Sequence, residues 1–279
     1  MDIEKAIRVD MADYEYAGEG ANGVSYNHRS DPDVMLKLYN PGKVTQPLDE
    51  MRIARKVFAA GIPTPEPGDY VTDGVRYGIR FRRVRGKVSY ARAVGNHPED
   101  VVRYAEEFAA MCRELHATHV DTTVFECVKD RYLRQLVENP FFTPSEKDRL
   151  ARFIQDAPDT DTAIHGDLQF GNAIFADGKR FFIDLGDFCY GGVMLDVSMV
   201  YLCSCLSNEE FIQEAFHMPK SVSEAFWGYF APVYFGADRP LRDINEEIDP
   251  YAGLKTLMVE RDTKCPMPEF REKLVSILK

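Results

Sequence analysis

An α+β protein of two unequal parts is what this sequence predicts: a small antiparallel sheet with one helix over residues 1–86, then a larger, mainly helical part over residues 87–279. Three observations lead there. Strand-like alternation broken by turn residues fills most of the stretch from Tyr14 to Val88. After Gly86 the apolar residues recur at helical spacing instead. Within the second part, "IHGDLQFGNAIF" gathers a His, an Asp, two Gly and an Asn in one short polar segment before an apolar run resumes.

In chain order, "DYEYAGEGANGVSY", "DVMLKLYN" and "GDYVTDGVRYGIRFRRV" read as strands. The stretch "QPLDEMRIARKVFAAG" interrupts them as a helix, with Pro47 near its start, Asp49 and Glu50 in its first turn and Gly61 at its C-terminal cap. In "HPEDVVRYAEEFAAMCRELHA", Val101, Tyr104, Ala105, Phe108, Met111, Cys112 and Leu115 form one helical stripe. "TPSEKDRLARFIQDA" opens with Thr143, Pro144 and Glu146 as a capping box, and Ser221 to Glu224 has the same form ahead of an aromatic run.

Bulk properties narrow the function. With 279 residues, 45% of them hydrophobic, the chain can bury one large core or two modest ones. A mean hydropathy of -0.32 and an acid-dotted N-terminus predict a protein with no secretory signal and no membrane span. The six cysteines form no C-x-x-C pair, so a reducing cytoplasm fits better than a disulfide framework or a structural metal. The net charge of -11 sits in one region: residues 1–90 hold 14 Lys and Arg against 13 Asp and Glu, and the rest 20 against 32. Such a field repels nucleic acid and attracts cations, although a solvated acidic surface is also its ordinary use. The basic run "RFRRVRGK" alternates as a strand and does not change that exclusion. Nothing in the chain sets an oligomeric state.

Four motifs carry chemistry. Gly18, Gly20 and Gly23 spell G-x-G-x-x-G, but a strand, not a helix, follows. A glycine hairpin whose amides approach phosphate is the better reading than a dinucleotide turn, and a flexible surface hairpin uses the same residues. Lys37 lies among apolar residues on the next strand, where a buried ammonium needs partners such as Glu50 or phosphate oxygens; snorkelling from an edge strand is the alternative. "HGDLQFGN" has the form H-G-D-x-x-x-x-N, and Asp184 follows Asn172 by twelve residues in "FFIDLGD", read as a strand ending in a carboxylate. Asn172 and Asp184 supply the few hard oxygens that Mg²⁺ accepts beside phosphate, and Asp167 is left to face an acceptor hydroxyl. Singly, each fits an Asx-turn or a strand-end cap. Together, and in this order, they point to phosphoryl transfer.

With these residues in place, the chain from Gly18 to about Asp196 resembles the aminoglycoside phosphotransferase and choline kinase-like family, small-molecule relatives of protein kinases. "EMRIARKVFAAGIPTPEP", the hinge-like "RYGIRFRRVRGK" and the helix end "MCRELHA" add to the resemblance. It implies a bilobal protein-kinase-like fold that binds ATP, with GTP not excluded, and Mg²⁺. It implies Asp167 as catalytic carboxylate, Asn172 and Asp184 as metal ligands, and Lys37 with Glu50 as the phosphate-anchoring pair. The glycine loop and the hinge residues Arg82 and Val84 would meet the nucleotide. Asp196 would cap the next helix, and His165 would brace backbone. Ser25 stands where kinases usually have a Val over the base, with Val24 or Tyr26 as candidate replacements.

The acceptor is expected to be a small molecule, because "LGDFCYGGVML" leaves no room for a peptide-docking activation segment and H-G-D lacks the Arg that reads a phosphorylated loop. A cationic amino sugar or amino alcohol is one candidate. Glu209, Glu210, Glu246, Glu247 and Asp249 would meet its charge, and Trp227, Tyr229, Phe230, Tyr234 and Phe235 would either stack on it or pack the core. Asp187 is a further candidate facing the acceptor. The competing functions are a non-catalytic nucleotide-binding scaffold or sensor and an atypical protein kinase.

Overall fold

The structure, a computed structural model, describes residues 5–20 and 22–278. Two compact units divide the chain: the described residues of Met1–Val88 together with Ala173–Asp187, and Ser89–Asn172 together with the described residues of Phe188–Lys279.

The first unit holds a six-stranded sheet in the order β1-β5-β6-β4-β3-β2. Its strands are β1 (Ile7–Arg8), β2 (Tyr14–Gly20), β3 (Gly23–His28), β4 (Val34–Tyr39), β5 (Pro67–Thr72) and β6 (Tyr77–Arg82). Every neighbouring pair is antiparallel except β1 with β5. That parallel edge departs from the expected antiparallel sheet, and its two residues are too few to show an alternation in sequence.

Strand β4 shows why the sheet is built this way. Side chains alternate across a strand, so Leu36 and Leu38 enter one core with Val9, Tyr14 and Val71. Tyr39 faces the other side, where Leu48 and Met51 of helix α1 (Thr45–Ala59) pack with Tyr70 and Ile79. Each such large apolar side chain contributes about 1.5–3 kcal/mol on burial. Helix α1 starts at Thr45, so Asp49 and Glu50 fall in its second turn and not its first. It stops where Gly61 takes φ +79°.

The segment that follows Asn172 belongs to this same unit. Ala173–Ala176 and Lys179–Phe182 pair antiparallel through Asp177 and Gly178, both at positive φ, as a two-residue hairpin demands. The Phe182 N–H donates to the Pro63 carbonyl at 2.9 Å and ties the hairpin to the chain leaving α1. The strand ends at Phe182, two residues before Asp184, which is therefore not a strand end.

The second unit is mainly helical. In the helix Val101–His116 the expected stripe is inward, with Phe108 fully buried 5.9 Å from Phe226 and 5.7 Å from Phe230 of the helix Lys220–Phe235. The helix Pro144–Asp156 begins with the expected Thr143–Glu146 capping box. The box read at Ser221–Glu224 does not form, because the helix already starts at Lys220 behind Pro219. Ala163–Ile164 and Cys189–Tyr190 pair antiparallel and bracket the polar loop 165–172. Among the described residues no helix is long and apolar enough to cross a membrane.

One glycine of the hairpin is a requirement of packing. A Cβ on Gly23 would stand 2.1 Å from the Leu38 carbonyl oxygen on the neighbouring strand. Gly23→Ala is expected to lower stability by about 1–3 kcal/mol, the usual penalty of overpacking, read as a lower midpoint of thermal unfolding.

Candidate functional site

In the first unit the site is built around Lys37. Its place on β4 puts it on the face covered by α1, and its ammonium donates to Glu50 Oε1 at 3.1 Å and to Asp184 Oδ1. It also lies 4.8 Å from the centroid of the Tyr39 ring. The Lys37 side chain is 16% exposed, that of Glu50 8% and that of Asp184 40%. Burial opposes the charge on Lys37, yet Asp184 and Glu50 more than offset it and hold its pKa above the ordinary lysine value. Lys37 is therefore a fixed cation, and the snorkelling alternative is set aside. Asp184 adopts φ +59°, a left-handed conformation that costs a residue with a Cβ about 1–2 kcal/mol. The strain aims its carboxylate at Lys37.

The glycines differ among themselves. Gly23 is demanded by the neighbouring strand, whereas Cβ atoms on Gly18 and Gly20 would meet nothing within 4 Å. Among the described residues packing explains neither Gly18 nor Gly20, although Gly18 takes φ +158°, which side chains rarely adopt. Residue 21 of the intervening turn lies outside the described residues.

Strand register sorts the other nucleotide candidates. Ser25 is directly opposite Lys37 and shares its face. Val24 and Tyr26 oppose Leu38 and Leu36 and so look the other way, where Tyr26 packs in that core and its hydroxyl accepts from Arg76. Neither takes the place of Ser25. Arg82 opposes Val34, again on the face away from Lys37, and its exposed guanidinium lies 3.6 Å from Glu66. Its backbone N–H donates to the Glu66 carbonyl at 2.9 Å. Val84 is half-buried in the loop after β6.

In the second unit the loop 165–172 alternates anchors with working groups. Leu168 and Phe170 are buried, Phe170 stacking 4.4 Å from Phe216 and 5.1 Å from Phe226. The carboxamide nitrogen of Asn172 donates to the Asp167 carbonyl at 3.0 Å and to Asp167 Oδ2 at 2.9 Å. Both N–H groups of the amide are thereby used on Asp167, and the amide oxygen remains as a hard donor. His165 is fully buried and its Nδ1 accepts from the Asp167 N–H at 3.4 Å, the backbone brace that the resemblance implied.

Asp196 is not the helix cap that the resemblance implied. It lies inside the helix Met194–Tyr201 with no solvent exposure, and its side chain makes no cap bond there. Its carboxylate accepts from the His165 N–H at 2.8 Å, the Gly166 N–H at 2.9 Å and His116 Nε2 at 3.0 Å. His116 in turn meets the Tyr234 hydroxyl at 2.6 Å. Burial opposes the Asp196 charge, but His116, His165 and Lys255 hold its pKa below the ordinary carboxylate value.

Most candidates for acceptor recognition have local partners. Glu209 accepts from Gln213 and from the Lys220 N–H, Glu247 pairs with Arg239, Glu246 lies 3.8 Å from Arg242, and Asp249 accepts from Lys273. Trp227 and Phe230 are core, Tyr234 serves His116, and Tyr229 is exposed. Glu210 is exposed and Asp187 is half-buried. Lys255, a residue without a motif, is the cation that sequence reading missed, buried at 1% exposure and donating to the Gly166 carbonyl at 3.2 Å.

Asn172 in the second unit and Asp184 in the first each carry the kind of hard oxygen that magnesium takes beside phosphate and water. Among the described residues no group of three or more His, Cys, Asp or Glu could hold a metal.

These features agree with a family comparison. Residues 16–219 match the model of the phosphotransferase enzyme family, and the chain belongs to that family. No curated protein matches it. A thermostable mutant of aminoglycoside phosphotransferase APH(4)-Ia, in ternary complex with ADP and hygromycin B, superposes with a TM-score of 0.63 at 13% identity, over 96% of this chain and 93% of that one. A choline/ethanolamine kinase family protein from Mesorhizobium loti gives 0.53 at 14% identity over 95% and 85%. Aminoglycoside phosphotransferase APH(3'')-Id from Streptomyces rimosus gives 0.53 at 18% identity over 88% and 93%. The fold is the α+β, protein-kinase-like fold of these structures.

The Asp196 network has a pH signature. Its folded pKa is depressed, so the stability it lends is complete above the ordinary value of 3.8 and is lost as pH falls through the lower folded value. Asp196→Asn is expected to cost about 1–3 kcal/mol near neutrality through weakened charged hydrogen bonds. The wild-type advantage should shrink in acid, as measured by denaturant unfolding of both proteins across pH.

Proposed function

We propose that the protein is a cytoplasmic small-molecule kinase that moves the γ-phosphate of ATP to an acceptor hydroxyl. The observation that carries this reading is the Asn172 amide, whose nitrogen fixes the Asp167 carboxylate and whose oxygen remains for a metal. The ADP and hygromycin B bound by one structural neighbour support a nucleotide and a small-molecule acceptor.

Each residue then has a task set by its chemistry. Lys37, held cationic by Glu50, neutralises phosphate oxygens, and Gly18 and Gly20 let backbone amides approach them. Asp184 and Asn172 would each offer an oxygen to Mg²⁺, which when bound would supply positive charge against phosphate. The backbone of Arg82 and Val84 serves the base, with GTP left as a competitor of ATP. Asp167 orients the acceptor hydroxyl and accepts its proton late in a loose transition state, a task that depends on hydrogen-bond reach more than on basicity. The acidic balance of residues 91–279 favours cationic acceptors through its long-range field, since most of the individual carboxylates have local partners.

Two experiments test the reading. Asp167→Asn is expected to lose about a hundredfold or more in kcat while ADP still binds; turnover close to wild type would remove Asp167 from the chemistry. In an ATP-consumption panel amino sugars and amino alcohols are expected to outcompete neutral sugars, and the reverse order would end the cationic assignment.

A further inference from the structure

We infer that Lys255 is a positioning residue for Asp167, fixing the peptide from which the proposed catalytic carboxylate projects. It stands where the helix Leu241–Leu254 gives way to Thr256–Thr263, far along the chain from the H-G-D loop and beyond residue 219, where the family match ends.

The location is expensive for an ammonium. Lys255 is 1% exposed, and the desolvation of such a charge costs several kcal/mol unless partners compensate. Its Nζ donates to the Gly166 carbonyl at 3.2 Å and lies 5.6 Å from the centroid of the Tyr132 ring. Burial works against the charge, but Tyr132, Asp196 and Asp167 outweigh it and raise the pKa. A methionine or leucine would fill the same space without that cost, so the retained charge has work to do at the carbonyl.

That carbonyl belongs to the peptide plane that joins Gly166 to Asp167. Gly166 has φ +85°, a conformation natural to glycine, and the chain turns there. Asp196 takes the Gly166 N–H at 2.9 Å on one side, and Lys255 takes the Gly166 carbonyl on the other. Two opposite buried charges thus clamp the glycine on both of its polar groups. Because the Asp167 N–H and Cα share a plane with the Gly166 carbonyl, holding the carbonyl also fixes the backbone atoms from which the Asp167 side chain projects. Asn172 then steadies the carboxylate from beyond. Without Lys255 the peptide can tilt, and a misplacement of about 1 Å can cost a reaction about a hundredfold.

The catalytic consequence rests on the phosphotransferase reading; the clamp itself does not, and the experiment separates them. Lys255→Met keeps the stem and removes the charge, and Lys255→Arg keeps the charge. Amide hydrogen exchange is followed at Gly166 and Asp167 and in the helix Pro144–Asp156, with ADP affinity as the check on folding. For Lys255→Met, exchange at Gly166 and Asp167 is expected to rise about tenfold or more and in the helix less than about twofold. Its kcat should fall about ten- to a hundredfold at little changed KM for ATP, and Lys255→Arg should recover most of the loss. If Lys255→Met does not fold, Lys255→Gln takes its place in both readouts. Unchanged exchange at Gly166 and Asp167 in a folded, uncharged variant overturns the clamp. Accelerated exchange with kcat within about twofold of wild type overturns the positioning role. If the wild type transfers phosphate to no acceptor, the phosphotransferase reading fails and exchange alone decides on the clamp.

Discussion

A carboxylate shut off from solvent must be given hydrogen-bond donors, and Asp196 obtains them from the backbone of the loop that carries Asp167. With no solvent exposure it accepts from His165 and Gly166 N–H groups and from His116. Removing one partner of such a buried arrangement typically costs about 3–5 kcal/mol, because the remaining charge is stranded. The charge is satisfied only when the loop takes one shape, and that shape presents Asp167. Stability and the proposed function would therefore be coupled at this residue.

The same logic organises the first unit. Lys37 is carried to the helix-covered face by strand alternation and is kept charged there by Glu50 and Asp184. In the proposed reaction a cation so held would be the kind of fixed charge that electrostatic stabilisation of phosphoryl transfer uses. Among the described residues packing demands Gly23 but neither Gly18 nor Gly20.

Much of this was legible in the sequence, and the parts that were not have physical reasons. The pairing of Lys37 with Glu50 could be anticipated because an ammonium among Val34, Leu36 and Leu38 has few other options. Asp167 and Asn172 could be linked because five residues return the chain on itself around a glycine turn. Sequence could not decide between Ser25 and its neighbours, since that depends on strand register, nor show that Ala173–Asp187 groups with the residues before Ser89. Asp196 was noticed but read as a cap, since a long-range bond to loop backbone leaves no local pattern. Lys255 was missed because a buried lysine and a surface lysine look alike in a sequence, and its partner is the carbonyl of Gly166, far away along the chain.

The central claim is that the chain transfers an intact phosphoryl group to a hydroxyl under the control of Asp167. The most direct test incubates the purified protein with Mg²⁺, acceptors and ATP carrying ¹⁸O on its γ-phosphate, then weighs the products by mass spectrometry. A phosphorylated acceptor that carries three labelled oxygens, formed by the wild type and lost in Asp167→Asn, is the expected result. Label found only in inorganic phosphate, or a phosphorylated acceptor formed equally by Asp167→Asn, would contradict the account.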